Sequence, residues 1–353
     1  MSDFADRLIA WQRQHGRQDL PWQRTRDPYR VWLSEIMLQQ TQVATVLGYY
    51  ARFLERFPTV GTLAQAPLTD VMPLWAGLGY YARARNLHAC AVAVMRDHDG
   101  AFPQRAEQLA QLPGIGRSTA AAIAAFCFDE RAAILDGNVK RVLARHFAVA
   151  GDPARAAVEK QLWTLAESLL PRAQAMPVYT QAVMDLGATL CVRAQPACER
   201  CPVAATCIAR REGRIDELPT PRVRKAPPLR HAQLLLAIAE GRVLLEQRAA
   251  AGLWGGLLSL PQFDTAQQVQ QALATLDAAA TAAPLPPRRH AFTHYTLEYV
   301  PQLARLSRLP AQLTEPAWCW EPLAKIEALA LPAPVRTLLL DLREGRATDL
   351  LTA

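Results

Sequence analysis

No stretch of this 353-residue chain runs for about eighteen uncharged apolar residues, so no helical membrane span is expected. The N-terminus, MSDFADRLIAWQRQHGRQ, lacks the apolar core of a secretory leader, which makes a cytoplasmic protein the expectation. Internal repeats are absent. Few β-branched runs occur before residue 215, so the first part of the chain is not built from strands. Cysteine is sparse, with seven in all, and Cys90, Cys127 and Cys319 are scattered and read as core or incidental residues. The other four are crowded together.

Those four, Cys191, Cys198, Cys201 and Cys207, follow the pattern C-x6-C-x2-C-x5-C, with Pro196 and Pro202 bending the loop between them. In a reducing compartment they stay free as thiols, and four thiolates this close in sequence can converge on one metal centre. Structural zinc sites usually pair two short C-x2-C knuckles, and this loop has one. The spacing therefore leans to an iron–sulfur cluster and leaves zinc open. Positive charge surrounds the loop at Arg193, Arg200, Arg210, Arg211 and Arg214. The chain as a whole carries a formal charge of +7, and a basic surface favours polyanions such as nucleic acid.

A chain of this length is expected to form two domains. Residues 1–215 read as successive helices. Phe4, Leu8 and Trp11 recur at helical spacing after a candidate cap at Ser2. Asp27-Pro28 is a helix start, a capping side chain followed by proline at the first helical position. Leu63, Leu68, Val71, Leu74 and Leu78 continue the pattern, and Ala120–Ala125 predicts a small-residue helix suited to close packing. Residues 216–229 are basic and proline-rich and read as a linker. From 230 to 347 the character is α+β. Gln233–Ala239 and Arg242–Gln247 flank a Glu240-Gly241 turn. Thr293, Tyr295, Leu297 and Tyr299 alternate as in a strand. Asp264 is expected to cap a helix reaching Leu276, and Pro334 to open one through Leu342. Residues 278–287 read as a loop.

Residues 112–118 are Leu-Pro-Gly-Ile-Gly-Arg-Ser, then Thr-Ala-Ala-Ala-Ile. Two glycines one residue apart at a helix start expose backbone N–H groups, which together with the helix dipole suit a phosphate oxygen. This is the hairpin of a helix-hairpin-helix motif, which grips the DNA backbone without reading sequence. Twenty residues past Gly116 lies Asp136, in ILDGNVKRVL. By itself it reads as the N-cap of a helix starting near Asn138.

Hairpin, spacer, Asp136 and cysteine loop together resemble the HhH-GPD superfamily of DNA glycosylases, the superfamily of endonuclease III, over residues 1 to about 212. Within it, WLSEIMLQQTQV (Trp32–Val43) and GLGYYARARN (Gly77–Asn86) are similar to adenine DNA glycosylases of the MutY type. The resemblance implies a multidomain protein. Its first part is an all-α glycosylase domain whose loop 191–207 holds a 4Fe–4S cluster, and an α+β Nudix-like domain follows. It implies that Glu35 is the general acid, that Asp136 faces the sugar of the flipped nucleotide, and that Asn138 orients Asp136 or the attacking water. Gln40 and Tyr80 are implied to wedge into the base stack. Thr41, Leu112, Gly114, Gly116, Ser118 and Lys140 are expected with them among the DNA contacts.

The residue types suit that chemistry. Adenine leaves poorly as an anion, so N7 must be protonated as C1′–N9 breaks, and a carboxyl donates at neutral pH only if burial raises its pKa. A second carboxylate stabilises or traps the oxocarbenium-like sugar, as in glycoside hydrolysis. Lyase-type members carry a lysine where this chain has Ser118, which implies a monofunctional enzyme.

VLLEQR (Val243–Arg248), then GLWGG (Gly252–Gly256) and Pro261, resemble the C-terminal domain that inspects 8-oxoguanine opposite the adenine. The implied reader is Phe292, Thr293 and His294, with threonine where serine is usual. Residues 262–280 hold only Asp264 and Asp277 as acids, too few for the glutamate box of a working Nudix hydrolase. The expected partner is double-stranded DNA carrying A:8-oxoguanine or A:G mismatches, the expected state a monomer, nucleoid-associated if bacterial, with no membrane contact. An endonuclease III-like pyrimidine glycosylase/AP lyase is the nearest rival, and Ser118, Glu35 and the extra domain argue against it. A silent DNA-binding or iron–sulfur sensor protein would keep the hairpin and cysteines but lose both acids. A Nudix hydrolase fused to a DNA-binding module lacks its glutamates.

Overall fold

A computed structural model describes residues 3–221, 227–249, 252–292, 294–313 and 315–345. The chain forms two compact units, Met1–Ala66 with Asn86–Arg224, and Pro67–Arg85 with Lys225–Ala353. Residues 67–85 thus pack with the C-terminal unit although chain of the first unit flanks them on both sides.

The helices in chain order are α1 Asp3–His15, α2 Pro28–Leu38, α3 Val43–Arg56, α4 Val60–Gln65, α5 Leu68–Trp75, α6 Ala82–Asp97, α7 Ala106–Leu109, α8 Arg117–Phe128, α9 Gly137–His146, α10 Ala156–Ser168, α11 Met176–Asp185, α12 Ile208–Arg211, α13 Ala266–Leu276 and α14 Ala333–Arg343. Asp27 accepts from the Tyr29 N–H at 3.0 Å, with Pro28 at the first position of α2, a cap worth about 1 kcal/mol. Trp32, Leu33 and Met37 on α2 are fully buried, each worth about 1.5–3 kcal/mol. They fix the rotation of α2 and therefore where Glu35 points. Ala120 to Ala125 of α8 are all buried, the close packing that small side chains permit. α1 buries Phe4, Leu8 and Ile9 in a core shared with α8, α9 and α11. The proposed Ser2 cap lies outside the described residues.

The C-terminal unit is built on a mixed sheet. Its strands are β1 Leu229–Ala239, β2 Arg242–Gln247, β3 Leu258–Ser259, β4 Gln262–Phe263, β5 Ala283–Pro284, β6 Arg288–Ala291, β7 Thr296–Arg305 and β8 Trp318–Pro322. The path β3-β2-β1-β7-β5 is extended by β4 on β1, β6 on β7 and β8 on β2. β1 and β7 run parallel over ten residues, Leu229 opposite Thr296 through Ile238 opposite Arg305. The β1–β2 turn falls at Glu240-Gly241, both with positive φ (46° and 71°), the twist that two-residue hairpins need. α13 lays Val269, Leu273 and Leu276 against Leu235, Ala237 and Leu244.

Several local expectations shift. Thr265, not Asp264, caps α13, in a capping box with Gln268. Leu78 lies beyond α5, which ends at Trp75. α14 starts at Ala333 with Pro334 inside its first turn. The 278–287 stretch contains β5, paired with β7. β7 alternates from Thr296 to Pro301 and is then buried through Ala304, Tyr295 precedes it, and Thr293 lies outside the described residues.

Candidate active site

The two acids come from different elements and open on one cavity of about 870 Å³. It is walled by the end of α2 (Glu35, Leu38), the 39–42 segment after it, the start of α8 (Ser118, Thr119), Asp136, Asn138 and Arg141. This is within the usual size of ligand sites. Glu35 is only half-covered along the cavity, but Ser34, Ile36 and Met37 beside it are buried. Burial, and secondarily the negative charge of Asp136, raise the Glu35 carboxyl to about 7. A carboxyl so placed is substantially protonated at neutral pH.

Asp136 caps α9 by accepting from Val139 N–H at 2.8 Å. The same geometry that makes it a cap holds it in place. Burial raises its pKa, while backbone N–H groups of Val139 and Asn138 and the charges of Arg141 and Lys140 pull the other way. Arg141 fixes the floor below. It donates to Asn138 Oδ1 (2.8 Å), to the Gly187 carbonyl (2.7 Å) and to the Cys191 carbonyl (2.7 Å). Gly187 belongs to a π-helical turn, Leu186–Leu190, that continues α11. A Cβ at Gly187 would stand 2.7 Å from Asn138 Cβ, so this approach requires glycine.

Glu35 also lines a second cavity, of about 470 Å³, with Trp22, Gln23, Phe126 and Gln181. Both amide atoms of Gln23 are buried without a hydrogen-bond partner, a costly arrangement that a bound polar group would relieve. Arg17 borders both cavities. It is held by fully buried Asp185, which accepts from Arg17 N (2.8 Å), Arg17 Nε (2.8 Å), Gln12 Nε2 (3.0 Å) and Gln181 Nε2 (2.8 Å).

Among the remaining candidates, Gly114 has φ +74° and a Cβ there would meet Asn86 Cβ at 2.6 Å. Leu112 is buried and accepts from Ile115 N–H, and Gly116 is the N-cap of α8. Ser118 Oγ accepts from Leu135 N–H at 3.0 Å, tying α8 to the segment that carries Asp136. Lys140 pairs with Glu159 at 2.7 Å and is not among the residues walling the cavity. Gln40 and Thr41 stand at its rim. Gln40 and, in the other unit, Tyr80 both hold left-handed backbone (φ 57° and 49°), rare outside glycine and found where function imposes strain. Tyr80 is 48% exposed.

The four loop cysteines line one further cavity, with Arg145 and His146 from α9. Arg145 donates to Cys191 Sγ at 3.5 Å and to the carbonyls of Val192, Arg193 and Leu218, and its own carbonyl accepts from Cys207 Sγ at 3.6 Å. Burial raises the thiols of Cys198, Cys201 (to about 11) and Cys207. Among the described residues no group of Cys, His, Asp or Glu stands as a single metal ion needs.

In the C-terminal unit, Phe292 packs against His290 (4.6 Å), Tyr295 (4.8 Å) and Trp254 (6.1 Å between ring centroids), and His294 follows Thr293, which lies outside the described residues. No helix among the described residues is long and apolar enough to cross a membrane.

Reading along the chain missed Arg17, Gln23, Arg141, Asp185 and Arg145. Asp185 finds partners 168 and 173 residues away, so no local pattern announces it. Arg141, three residues past Asn138 on α9, was reachable through the i, i+3 rule.

Family comparison places the HhH-GPD superfamily base excision DNA repair protein model on residues 33–168 and a NUDIX domain on residues 233–341. The chain is 33% identical to an adenine DNA glycosylase of Buchnera aphidicola subsp. Baizongia pistaciae (strain Bp) over 97% of each chain. It is 35% identical to the Homo sapiens adenine DNA glycosylase over 90% of this chain and 70% of that one. Among solved structures, a thermostable thymine-DNA glycosylase superposes with TM-score 0.53 at 28% identity, covering 59% of this chain and 95% of that one.

Proposed function

The chain belongs to the family of adenine DNA glycosylases, and from that premise we propose that Glu35 and Asp136 divide the hydrolysis of the N-glycosidic bond between them. The enzyme is a base-excision glycosylase with a helical HhH-GPD unit and a Nudix-type unit. The observation that carries the division of labour is the opening of both carboxyls on one cavity, with Glu35 raised to about 7 and its charge opposed by Asp136. Glu35 gives its proton to N7 of the extruded adenine. Asp136, fixed by Val139 N–H, faces the sugar and stabilises its positive charge, and Asn138, held by Arg141, orients it or the attacking water. The base enters the second cavity, where Trp22 and Phe126 offer aromatic surface and Gln23 offers an unmatched donor and acceptor. An extruded base is what such an acid can reach, since N7 and the sugar face are closed inside the duplex.

The hairpin Leu112–Ser118 grips backbone phosphate, Gln40 and Tyr80 wedge into the base stack, and Thr41 and Lys140 are further DNA contacts. Phe292, Thr293 and His294 read 8-oxoguanine opposite the adenine, so the substrate is A:8-oxoguanine ahead of A:G. The absence of an amine at Ser118 makes the enzyme monofunctional. Residues 1–215, apart from the 67–85 stretch that packs with the C-terminal unit, serve as catalytic domain, 216–229 as linker and 230–347 as reading domain. The protein works in the cytoplasm on chromosomal DNA.

Cys191, Cys198, Cys201 and Cys207 fit a 4Fe–4S cluster. They supply four sulfur donors lining one cavity, the donor set of a 4Fe–4S centre. Arg145 adds positive charge beside the sulfurs. These four cysteines would hold the cluster and so fix the 191–207 loop, whose carbonyls at Cys191, Val192 and Arg193 receive Arg141 and Arg145 of α9.

The test is base release from duplexes carrying A opposite 8-oxoguanine, G or C, with and without alkali. Adenine release favouring 8-oxoguanine, with a strand that breaks only on alkali, supports the proposal. Pyrimidine excision with spontaneous breakage refutes it. Iron analysis giving about four per chain supports the cluster, and stoichiometric zinc refutes it.

A further inference from the structure

Residues 67–85 belong to the same compact unit as the sheet, and Arg85 makes a polar link within it. Arg85, in the first turn of α6, donates from Nη1 to the Gly255 carbonyl at 2.6 Å, partly buried. Gly256 beside it has φ +78°, and a Cβ there would touch Arg85 and Met72 at 3.7–3.9 Å. The loop that receives Arg85 is itself well fixed. Gly256 N–H is shared between the carbonyls of Arg248 and Ala249 (3.2 Å each), and Leu257 N–H bonds to Trp254 at 3.0 Å. Trp254 is buried and left-handed (φ 55°), a conformation an aromatic residue keeps only when its surroundings enforce it. Its ring meets Phe292, whose N–H bonds to the Tyr295 carbonyl at 2.8 Å.

On the other side of Arg85 the chain is equally constrained. Arg85 N–H bonds to the Tyr81 carbonyl (3.2 Å) and Arg83 N–H to that of Tyr80 (2.8 Å). Buried Arg83 reaches back to the carbonyls of Leu78 (2.9 Å) and Gly79 (3.2 Å). Exposed, left-handed Tyr80 is therefore presented on a short rigid turn, and that turn is one guanidinium away from the loop that supports Phe292.

We propose that Arg85 is a positioning residue that couples the Tyr80 wedge to the lesion-reading segment at Phe292 through the Gly252–Gly256 loop. This rests on the reading of Phe292–His294 as the 8-oxoguanine contact. Insertion of Tyr80 and recognition of the lesion then act as one event, because neither segment shifts without straining the Arg85–Gly255 bond or the Trp254–Phe292 contact. A donor to the wedge turn alone would affect all substrates alike. A coupling element affects the one the reader recognises.

The experiment measures single-turnover adenine release from full-length protein on duplexes with A opposite 8-oxoguanine and A opposite G. A 2-aminopurine beside the lesion reports wedge insertion. Arg85→Met should lower the 8-oxoguanine-to-G rate ratio about tenfold, the loss of one charged hydrogen bond, with slower 2-aminopurine unstacking on the lesion duplex. Arg85→Lys should recover part of the ratio. Gly256→Ala, which strains the left-handed backbone (φ +78°) next to the Gly255 acceptor, should lower it too, so the test survives a poorly folding Arg85→Met. In a Tyr80→Ala background Arg85→Met should add little, since both act through one element. An unchanged ratio in Arg85→Met and Gly256→Ala, or full additivity with Tyr80→Ala, overturns the coupling. Equal wild-type rates on both duplexes instead overturn the lesion-reading assignment, and the coupling falls with it.

Discussion

Replacing Glu35 by glutamine should make the protein more stable while disabling it. The Glu35 carboxyl ionises near 4.5 when exposed and is raised to about 7 in the folded protein. A group whose folded pKa is raised contributes stability that is fully present below the unfolded value and is lost as pH rises through the folded one. At about 1.36 kcal/mol per pH unit this amounts to roughly 3 kcal/mol, and partial access to the cavity trims it to about 2–3 kcal/mol. The glutamine side chain is close in shape and carries no charge, so it escapes the loss. Urea unfolding of wild type and Glu35→Gln should give similar stabilities near pH 5, with the gap widening in favour of the variant until it levels off above about pH 7. A gap that is the same at pH 5 and pH 8.5 would refute the raised pKa and, with it, the reason for assigning Glu35 as a proton donor.

Arg141→Met leaves the Asn138 side chain and the Gly187 and Cys191 carbonyls without their shared donor. Unfolding should show a loss of about 3 kcal/mol together with faster loss of iron on dilution, and wild-type iron retention would show that the arginine does not brace the loop. Ser118→Lys removes the acceptor for Leu135 N–H, costing about 1 kcal/mol in thermal unfolding. It should also introduce a covalent DNA adduct trapped by borohydride, because a neutral amine there can attack C1′ after base loss. Equally strong trapping by wild type would contradict the monofunctional assignment.

What could be read along the chain was what local chemistry determines. Asp27-Pro28 announces the start of α2 because cap and proline act within one turn. Asp136 was readable both as a cap and as an acid, and the structure has it capping α9 while it faces the cavity. The glycines of the hairpin and the alanines of α8 declare their backbone and packing needs by residue type alone. Other features depend on distant partners. Asp185 gathers Gln12, Arg17 and Gln181 from α1, the chain just after it and α11. The second cavity beside Glu35 is assembled from α1, α2, α8 and α11, so no motif spans it. The attachment of residues 67–85 to the C-terminal unit is likewise invisible in the MutY-type string that contains Tyr80, because Arg85 finds its acceptor 170 residues later. At α13, Asp264 and Thr265 are both good caps, and the Gln268 side chain favours the threonine because it closes the reciprocal box.

The most direct test of the two-carboxylate chemistry is single-turnover release of adenine opposite 8-oxoguanine by wild type and Glu35→Gln, with enzyme in excess and binding measured on the same duplex. Wild type should release adenine and leave an intact, alkali-labile strand. The variant should bind comparably and release adenine about a hundredfold to ten-thousandfold more slowly, the range expected for loss of a general acid. Release by Glu35→Gln at the wild-type rate would contradict proton donation from Glu35.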